Sequence, residues 1–126
     1  MNLPFTIEGM VIHGQKRGRL IGFPTANIKP LNYFLNSLEY GVYASKIDVH
    51  GSVYKAATNI GPAATFNRNE PTIESYILNF NKDIYKQKVI LTLIHKIRDV
   101  QKFTSLQNLT EQIVRDVRDV SLKIRL

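Results

Sequence analysis

From Val42 to Ile97 the chain is a near-continuous series of short β-branched and aromatic runs, and only beyond Thr104 does its hydrophobic period lengthen. Val42 to Val49 and Ser52 to Asn59 are two such runs joined at His50-Gly51, a hairpin signal. Thr72 to Phe80 alternates, with Ile73 and Ile77 on one face and Glu74, Tyr76 and Leu78 on the other. Asn81-Lys82-Asp83 is a turn cluster, and Ile84 to Ile97 supplies one long strand or two. Upstream, Thr6 to Ile12 reads as a short strand and Phe23 to Ile28 as an extended piece, because Pro24 biases Phe23 away from helix. Lys29 to Tyr40 has no clear period and is expected to be a connecting loop with at most one helical turn. Leu106, Leu109, Ile113, Val117 and Val120 then recur at helical spacing, and Thr104-x-x-Gln107 has the form of a capping box. Five or six sequential strands and one late helix predict a mainly β fold: a small antiparallel barrel with the helix packed outside.

At 126 residues, with no repeat or linker, the chain is expected to be a single domain over 1–126. Its 44% hydrophobic content suffices for a core without staples. The absence of Cys excludes disulfides, thiol catalysis and zinc–thiolate sites, and fits the expected cytoplasmic location. No apolar run reaches the roughly 18 to 20 residues that a membrane span needs, and no signal peptide opens the sequence. Seventeen Lys and Arg against ten Asp and Glu leave a net charge of +7, which draws anions. From Gly9 to Leu38 there is no acid, while Lys16, Arg17, Arg19 and Lys29 lie there among glycines. That favours a specific anion site; a solvated basic face is the alternative.

The strongest local signal runs from His13 to Asn27. Gly14, Gly18 and Gly22 let backbone N–H groups approach an anion, and Lys16, Arg17 and Arg19 neutralise it. The loop matches neither a Walker A motif nor a dinucleotide fingerprint, so on pattern alone it is equally a generic loop. Thr25 and Asn27, two apart in an extended segment, project from one face beside it. Such hard oxygen donors suit Mg²⁺ shared with phosphate; a polar strand edge is the alternative. Glu74, the only acid between Glu70 and Asp83, either faces water or lines a cavity where it accepts a proton from an attacking hydroxyl. His13, His50 and His95 lack ligand spacing, so no transition-metal site is expected.

Taken together, these strings resemble the riboflavin kinase (flavokinase) family. The resemblance is carried by Gly9-x-Val11-x-His13-Gly14, by Arg17-Gly18-Arg19-x-x-Gly22-Phe23-Pro24-Thr25-Ala26-Asn27-Ile28 and by Gly41-Val42-Tyr43-Ala44. It continues through Asn59-Ile60-Gly61, Thr65-Phe66, Glu74-Ser75-Tyr76-Ile77-Leu78, Asp83-Ile84-Tyr85, Arg98, Lys102-Phe103, Ser105, Leu109, Gln112-Ile113 and Asp116, in order along the whole chain. It implies a six-stranded antiparallel Greek-key barrel with a C-terminal helix. It also implies transfer of phosphate from ATP to the ribityl 5′-hydroxyl of riboflavin, giving FMN and ADP, with Mg²⁺ or another divalent cation. By resemblance, Gly14, Lys16, Arg17, Gly18, Arg19, Gly22, Phe23, Pro24 and Thr25 bind the ATP phosphates. Thr25 and Asn27 serve the metal, Glu74 is the base, and Arg98 is a catalytic arginine of a flap. Asn27, Glu74, Arg98 and Phe103 contact the flavin.

Some positions depart from the family pattern. Pro62-Ala63-Ala64 follows Gly61 where the proline usually lies next to Thr65, Lys86 stands where Gly commonly follows the Tyr, and Val100 replaces a usual Glu. These departures motivate one competing reading, a catalytically weak flavin-binding regulatory module. Joint retention of Thr25, Asn27, Glu74 and Arg98 argues against it, because a binder needs no base. A basic barrel for single-stranded nucleic acid is the other, motivated by the charge; the aromatics fall mostly in strand or core patterns, so neither nucleic acid nor membrane is an expected partner. Leu3 to Gly9 resembles the junction after which bifunctional bacterial enzymes begin their kinase domain, so an adenylyltransferase domain in a longer parent chain is an expected partner. No adenylyltransferase motif lies in these residues.

Overall fold

Strands form where the sequence alternates, and alternation sets which side chains face inward. The computed structural model describes residues 1–13, 22–31, 37–62 and 71–126. Within them lie β1 (Phe5–Ile12), β2 (Ala26–Pro30), β3 (Gly41–Val49), β4 (Ser52–Gly61), β5 (Thr72–Ile77), β6 (Lys88–Arg98) and α1 (Leu106–Lys123). All pairings are antiparallel, and the strands close in the order β1-β2-β5-β4-β3-β6. The run β3-β4-β5 with β6 returning beside β3 is a Greek key. The expected barrel and external helix are therefore present.

The inward set is apolar: Ile7 and Val11 from β1, Ile28 from β2, Tyr43 and Ile47 from β3, Ala56 and Ile60 from β4, Ile73 and Ile77 from β5, and Val89, Leu91 and Leu93 from β6. Each large aliphatic so buried contributes about 1.5–3 kcal/mol, far more than a strand-edge contact could. Three hydroxyls share this interior. Ser45 Oγ donates to the Ala56 carbonyl at 2.9 Å, and the Ser45–Thr58 and Thr58–Ser75 oxygens lie 2.6 and 2.8 Å apart. Since Ser45 has spent its proton, Thr58 must donate to Ser45 and Ser75 to Thr58, so every buried hydroxyl is satisfied.

The helix covers a second apolar patch on the outside of the barrel. Ala44 and Ala57 are cross-strand partners there, and their small side chains leave room for Val117, Val120 and Ile124 to pack against Leu78, Tyr76, Ile94 and Ile97. Lys55 Nζ donates to the Ser121 carbonyl at 2.9 Å, and Lys123 lies in the last turn, both complementing the negative end of the helix.

β1, β3 and β4 each run one or two residues beyond expectation, and four other boundaries differ for a local reason. β2 continues through Pro30, where the Leu31 amide donates to the Glu8 carbonyl. β5 ends at Ile77 because Asn79 turns left-handed, with φ +56°. The second candidate strand is one element, beginning only at Lys88 after a turn at Tyr85-Lys86. The N-cap is Ser105, not Thr104: its Oγ accepts from the Asn108 amide at 3.1 Å, while Gln107 reaches Glu111 instead. Leu106, expected on the apolar face, is exposed.

Gly9 marks the tightest point of the barrel. A Cβ there would overlap the buried Ile28 Cγ2 methyl and lie 3.1 Å from the Lys29 carbonyl oxygen. Gly9→Ala should therefore cost about 1–3 kcal/mol by overpacking, read as a lower chemical-denaturation midpoint. An unchanged midpoint would mean that β1 and β2 separate freely. Burial also raises the Tyr43 phenol above its ordinary value. A raised folded-state value favours the neutral form, so stability should fall as pH rises through and beyond about 10, and less so in Tyr43→Phe.

Candidate active site

Paired residues in a sheet share a face, and three polar residues fall into one outward-facing rank. Asn27 on β2 pairs with Glu74 on β5, and Glu74 pairs with Asn59 on β4. Neighbours in such a rank have Cβ atoms about 4.5–5.5 Å apart, within reach of one small substrate group. The inward neighbours Ala26, Ser75 and Thr58 form the adjacent rank, so the interior hydroxyls lie directly behind the polar ones. Glu74 is half-buried and has an interaction partner. The rank continues through Val42 on β3 to Arg98 on β6. Arg98 is thus three strand spacings from Glu74, roughly 14 Å around the barrel.

A cavity of about 660 Å³ opens beside Asn27. Its wall includes His13, Pro24, Thr25, Asn27, Ser75 and the segment from Phe80 to Tyr85. Thr25 and Asn27 both line it, together with Ala26 between them. The far wall is pinned to β1: the Val11 amide donates to the Gln87 carbonyl at 3.0 Å, and the Lys86 amide donates to the Val11 carbonyl at 2.9 Å. There the His13 and Tyr85 rings stack with centroids 3.6 Å apart, and Lys86 Nζ lies 5.5 Å from the Tyr85 centroid. Asp83 Oδ1 accepts from the Tyr85 amide at 3.0 Å, holding the turn.

Gly22 precedes this wall with φ +83°, a conformation that glycine adopts without strain. The Phe23 ring sits edge-on to Tyr76 at 5.2 Å, two residues along β5 from Glu74 on the same face. Phe23 is therefore not among the cavity-lining residues, unlike Pro24 and Thr25. Gly14, Lys16, Arg17, Gly18 and Arg19 lie outside the described residues, as do Ala63 to Glu70 of the altered loop.

Arg98 has a different setting from the one expected of a phosphate-facing arginine. Its Nε and Nη2 each donate to Asp116 at 2.8 Å, and Nη1 donates to the Asp99 carbonyl at 3.1 Å. Its guanidinium also lies 5.9 Å from the Phe103 ring centroid. Val100 sits near Gly61, the residue that precedes the altered Pro62-Ala63-Ala64 stretch. Lys96 Nζ and Asp99 Oδ1 are 2.8 Å apart, and this hydrogen bond holds the Asp99 carboxyl below its ordinary range.

Asn59, Asp116 and the segment from Phe80 to Tyr85 were not singled out for the site from sequence. A signal existed for Asp116: it interrupts the apolar face formed by Ile113, Val117 and Val120. Asn59 and Asp83 to Tyr85 fell within strings that carry the resemblance, but only strand pairing and loop closure bring them alongside Asn27 and Glu74. Among the described residues, no cluster of three His, Cys, Asp or Glu could hold a metal ion, and no helix is long and apolar enough to cross a membrane.

Comparison with known proteins follows the same residues. The family model described as "Flavokinase: Riboflavin kinase" matches residues 1–123. A bifunctional riboflavin kinase/FMN adenylyltransferase of Bacillus subtilis is 41% identical over 119 residues, covering 92% of this chain and 37% of that protein. The chain thus spans little more than a third of that relative's length. Among solved structures, a riboflavin kinase from Trypanosoma brucei superposes with a TM-score of 0.68 at 29% identity, covering 92% of this chain and 76% of that one. A Streptococcus pneumoniae chain titled a macrolide-efflux protein superposes with a TM-score of 0.85 at 35% identity, covering 97% of this chain and 40% of that one.

The turn at Lys86 provides a local test of the cavity wall. Lys86 has φ +68°, which a side chain disfavours and glycine tolerates. Lys86→Gly should be more stable than Lys86→Ala by about 1 kcal/mol in thermal or denaturant unfolding. The reverse order would show that this turn is not left-handed in solution.

Proposed function

Because the chain belongs to the flavokinase (riboflavin kinase) family, we propose that it transfers the γ-phosphoryl group of ATP to the ribityl 5′-hydroxyl of riboflavin, releasing FMN and ADP. The reading rests on Asn27, which stands beside Glu74 across the β2–β5 pairing and also lines the cavity. A phosphoryl donor in that cavity would have its reacting end next to the one carboxylate in the rank.

In this reading the cavity takes the nucleotide, and Gly14, Lys16, Arg17, Gly18, Arg19, Gly22, Phe23, Pro24 and Thr25 bind its phosphates. Glu74 accepts the proton of the riboflavin hydroxyl as that oxygen attacks the γ-phosphorus and the bond to ADP breaks. Arg98 and Phe103 belong to the flavin side. Thr25 and Asn27 offer two neutral oxygens, too little charge to capture a bare dication but suited to one arriving with a triphosphate. When bound, Mg²⁺ supplies charge neutralisation at the transferring phosphate. Positioning and charge stabilisation then carry most of the rate, with the base adding to them.

Purified protein with riboflavin and Mg-ATP should yield FMN, separated by chromatography and detected by flavin fluorescence. Glu74→Gln should lose about 10²- to 10⁴-fold in turnover with nucleotide affinity nearly intact. Normal turnover in that variant would sink the assignment of the base, and tight flavin binding without FMN formation in the wild type would favour a regulatory binder. Thr25→Ala should weaken Mg-ATP engagement as well as rate; unchanged metal and ATP dependence would count against it.

A further inference from the structure

Glu74 has a different neighbour on each side. Toward β2 stands Asn27, which also lines the cavity, and toward β4 stands Asn59. Phosphoryl transfer runs in line, with the attacking and leaving oxygens on opposite sides of the phosphorus. A donor held on the cavity side of Glu74 therefore leaves the β4 side for the acceptor. The first polar side chain on that side is the Asn59 carboxamide.

The surroundings of that carboxamide are closely bounded. Asn59 and Gly61 are two apart on β4, and a Cβ on Gly61 would lie 3.3 Å from Asn59 Nδ2, so the amide leans along its strand toward Gly61. Gly61 pairs with Thr72, which shares the outward face of β5 with Glu74. Asn59, Thr72 and Glu74 thus surround one patch of the β4–β5 pair, and all three are half-buried. On the β3 side the rank turns apolar at the buried Val42. Among the described residues, neither the Asn59 nor the Thr72 side chain is engaged in a hydrogen bond, and no buried polar side-chain atom lacks a partner, so both present their polar atoms to solvent.

We propose that Asn59 and Thr72 form a polyol-binding subsite for the acceptor, holding secondary hydroxyls of the ribityl chain while Glu74 takes the proton of the terminal one. This rests on the kinase reading above. A carboxamide offers two donors and an acceptor, and a threonine hydroxyl one donor and two lone pairs, so the two side chains can meet neighbouring hydroxyls in either sense. Neither carries a charge, so neither competes with Glu74 for the proton or with the triphosphate for the metal. A site built to hydrogen-bond hydroxyls also rejects an analogue that lacks them, because its own polar groups are then left unpaired. Asn59 and Thr72 therefore set the choice of acceptor and leave the donor to the cavity.

The test compares riboflavin with lumiflavin, which keeps the ring system and carries a methyl group in place of the ribityl chain. Affinity for each would be read by quenching of flavin fluorescence, with steady-state KM and kcat for riboflavin and ATP, in the wild type, Asn59→Ala and Thr72→Val. Each variant should bind riboflavin roughly tenfold more weakly, the loss expected for one or two net hydrogen bonds. Lumiflavin affinity and the KM for ATP should stay within about twofold of the wild type. Equal losses for riboflavin and lumiflavin, or a raised KM for ATP, would overturn the proposal. So would a lower melting temperature with riboflavin affinity unchanged, the mark of a merely structural pair. If the wild type holds lumiflavin too weakly to read, the KM for riboflavin against that for ATP decides alone. Should Asn59→Ala not fold, Asn59→Ser and Thr72→Val carry the same comparison. A wild type that neither binds nor converts riboflavin would overturn the kinase reading itself. A wild type that converts it, beside variants of equal riboflavin affinity, would overturn the polyol subsite alone.

Discussion

Closure of the barrel by β6 is the constraint on which the remaining structure depends. β6 pairs with β1 on one side and β3 on the other, so among the described residues the first and last strands become neighbours and the sheet closes. Closure turns the simple alternation of each strand into an inside and an outside. Once Ile7, Ile47, Ile73 and Leu91 are committed inward, their neighbours are obliged to face outward, and the polar rank from Asn27 through Glu74 to Asn59 follows. A one-residue slip of β5 would put Glu74 in the core and Ser75 outside, so the fold and the chemistry share one register.

Two apolar surfaces then divide the labour. The interior cluster supplies stability, while the outer patch around Ala44 and Ala57 seats α1 and brings Asp116 to the end of β6. The outward polar rank adjoins a cavity that is rimmed by Thr25 and Tyr85 and reaches the inward residues Ser75 and Ile77. Phosphoryl transfer asks a protein for placement and charge more than for covalent chemistry. A closed barrel with loops and a helix fixed to its surface meets that requirement, because strands already locked in register hold the base and its neighbours.

Much of this was legible in the chain. Period-two runs located the strands, and His50-Gly51, with φ +51° and +87°, formed the turn that the dipeptide signalled. The opposite faces of β5 were readable from Ile73 and Ile77 against Glu74 and Tyr76, since alternation is local. The capping residue was missed by one position because Thr104 and Ser105 are both competent caps, and only the start of the helix chooses between them.

What the sequence determined by itself was local: which segments are extended, which is helical, which residues share a face, and which family's motifs they carry. Tertiary structure decided what those faces meet. It set Asn59 beside Glu74, wrapped the Phe80 to Tyr85 segment against β1 to make a cavity, and turned Arg98 toward the helix. These outcomes depend on pairings between residues far apart in the chain, and no local period encodes them. The ion pair of Arg98 with Asp116 is the plainest instance. Eighteen positions separate the two residues, and only the docking of α1 on the barrel brings the buried carboxylate to the arginine.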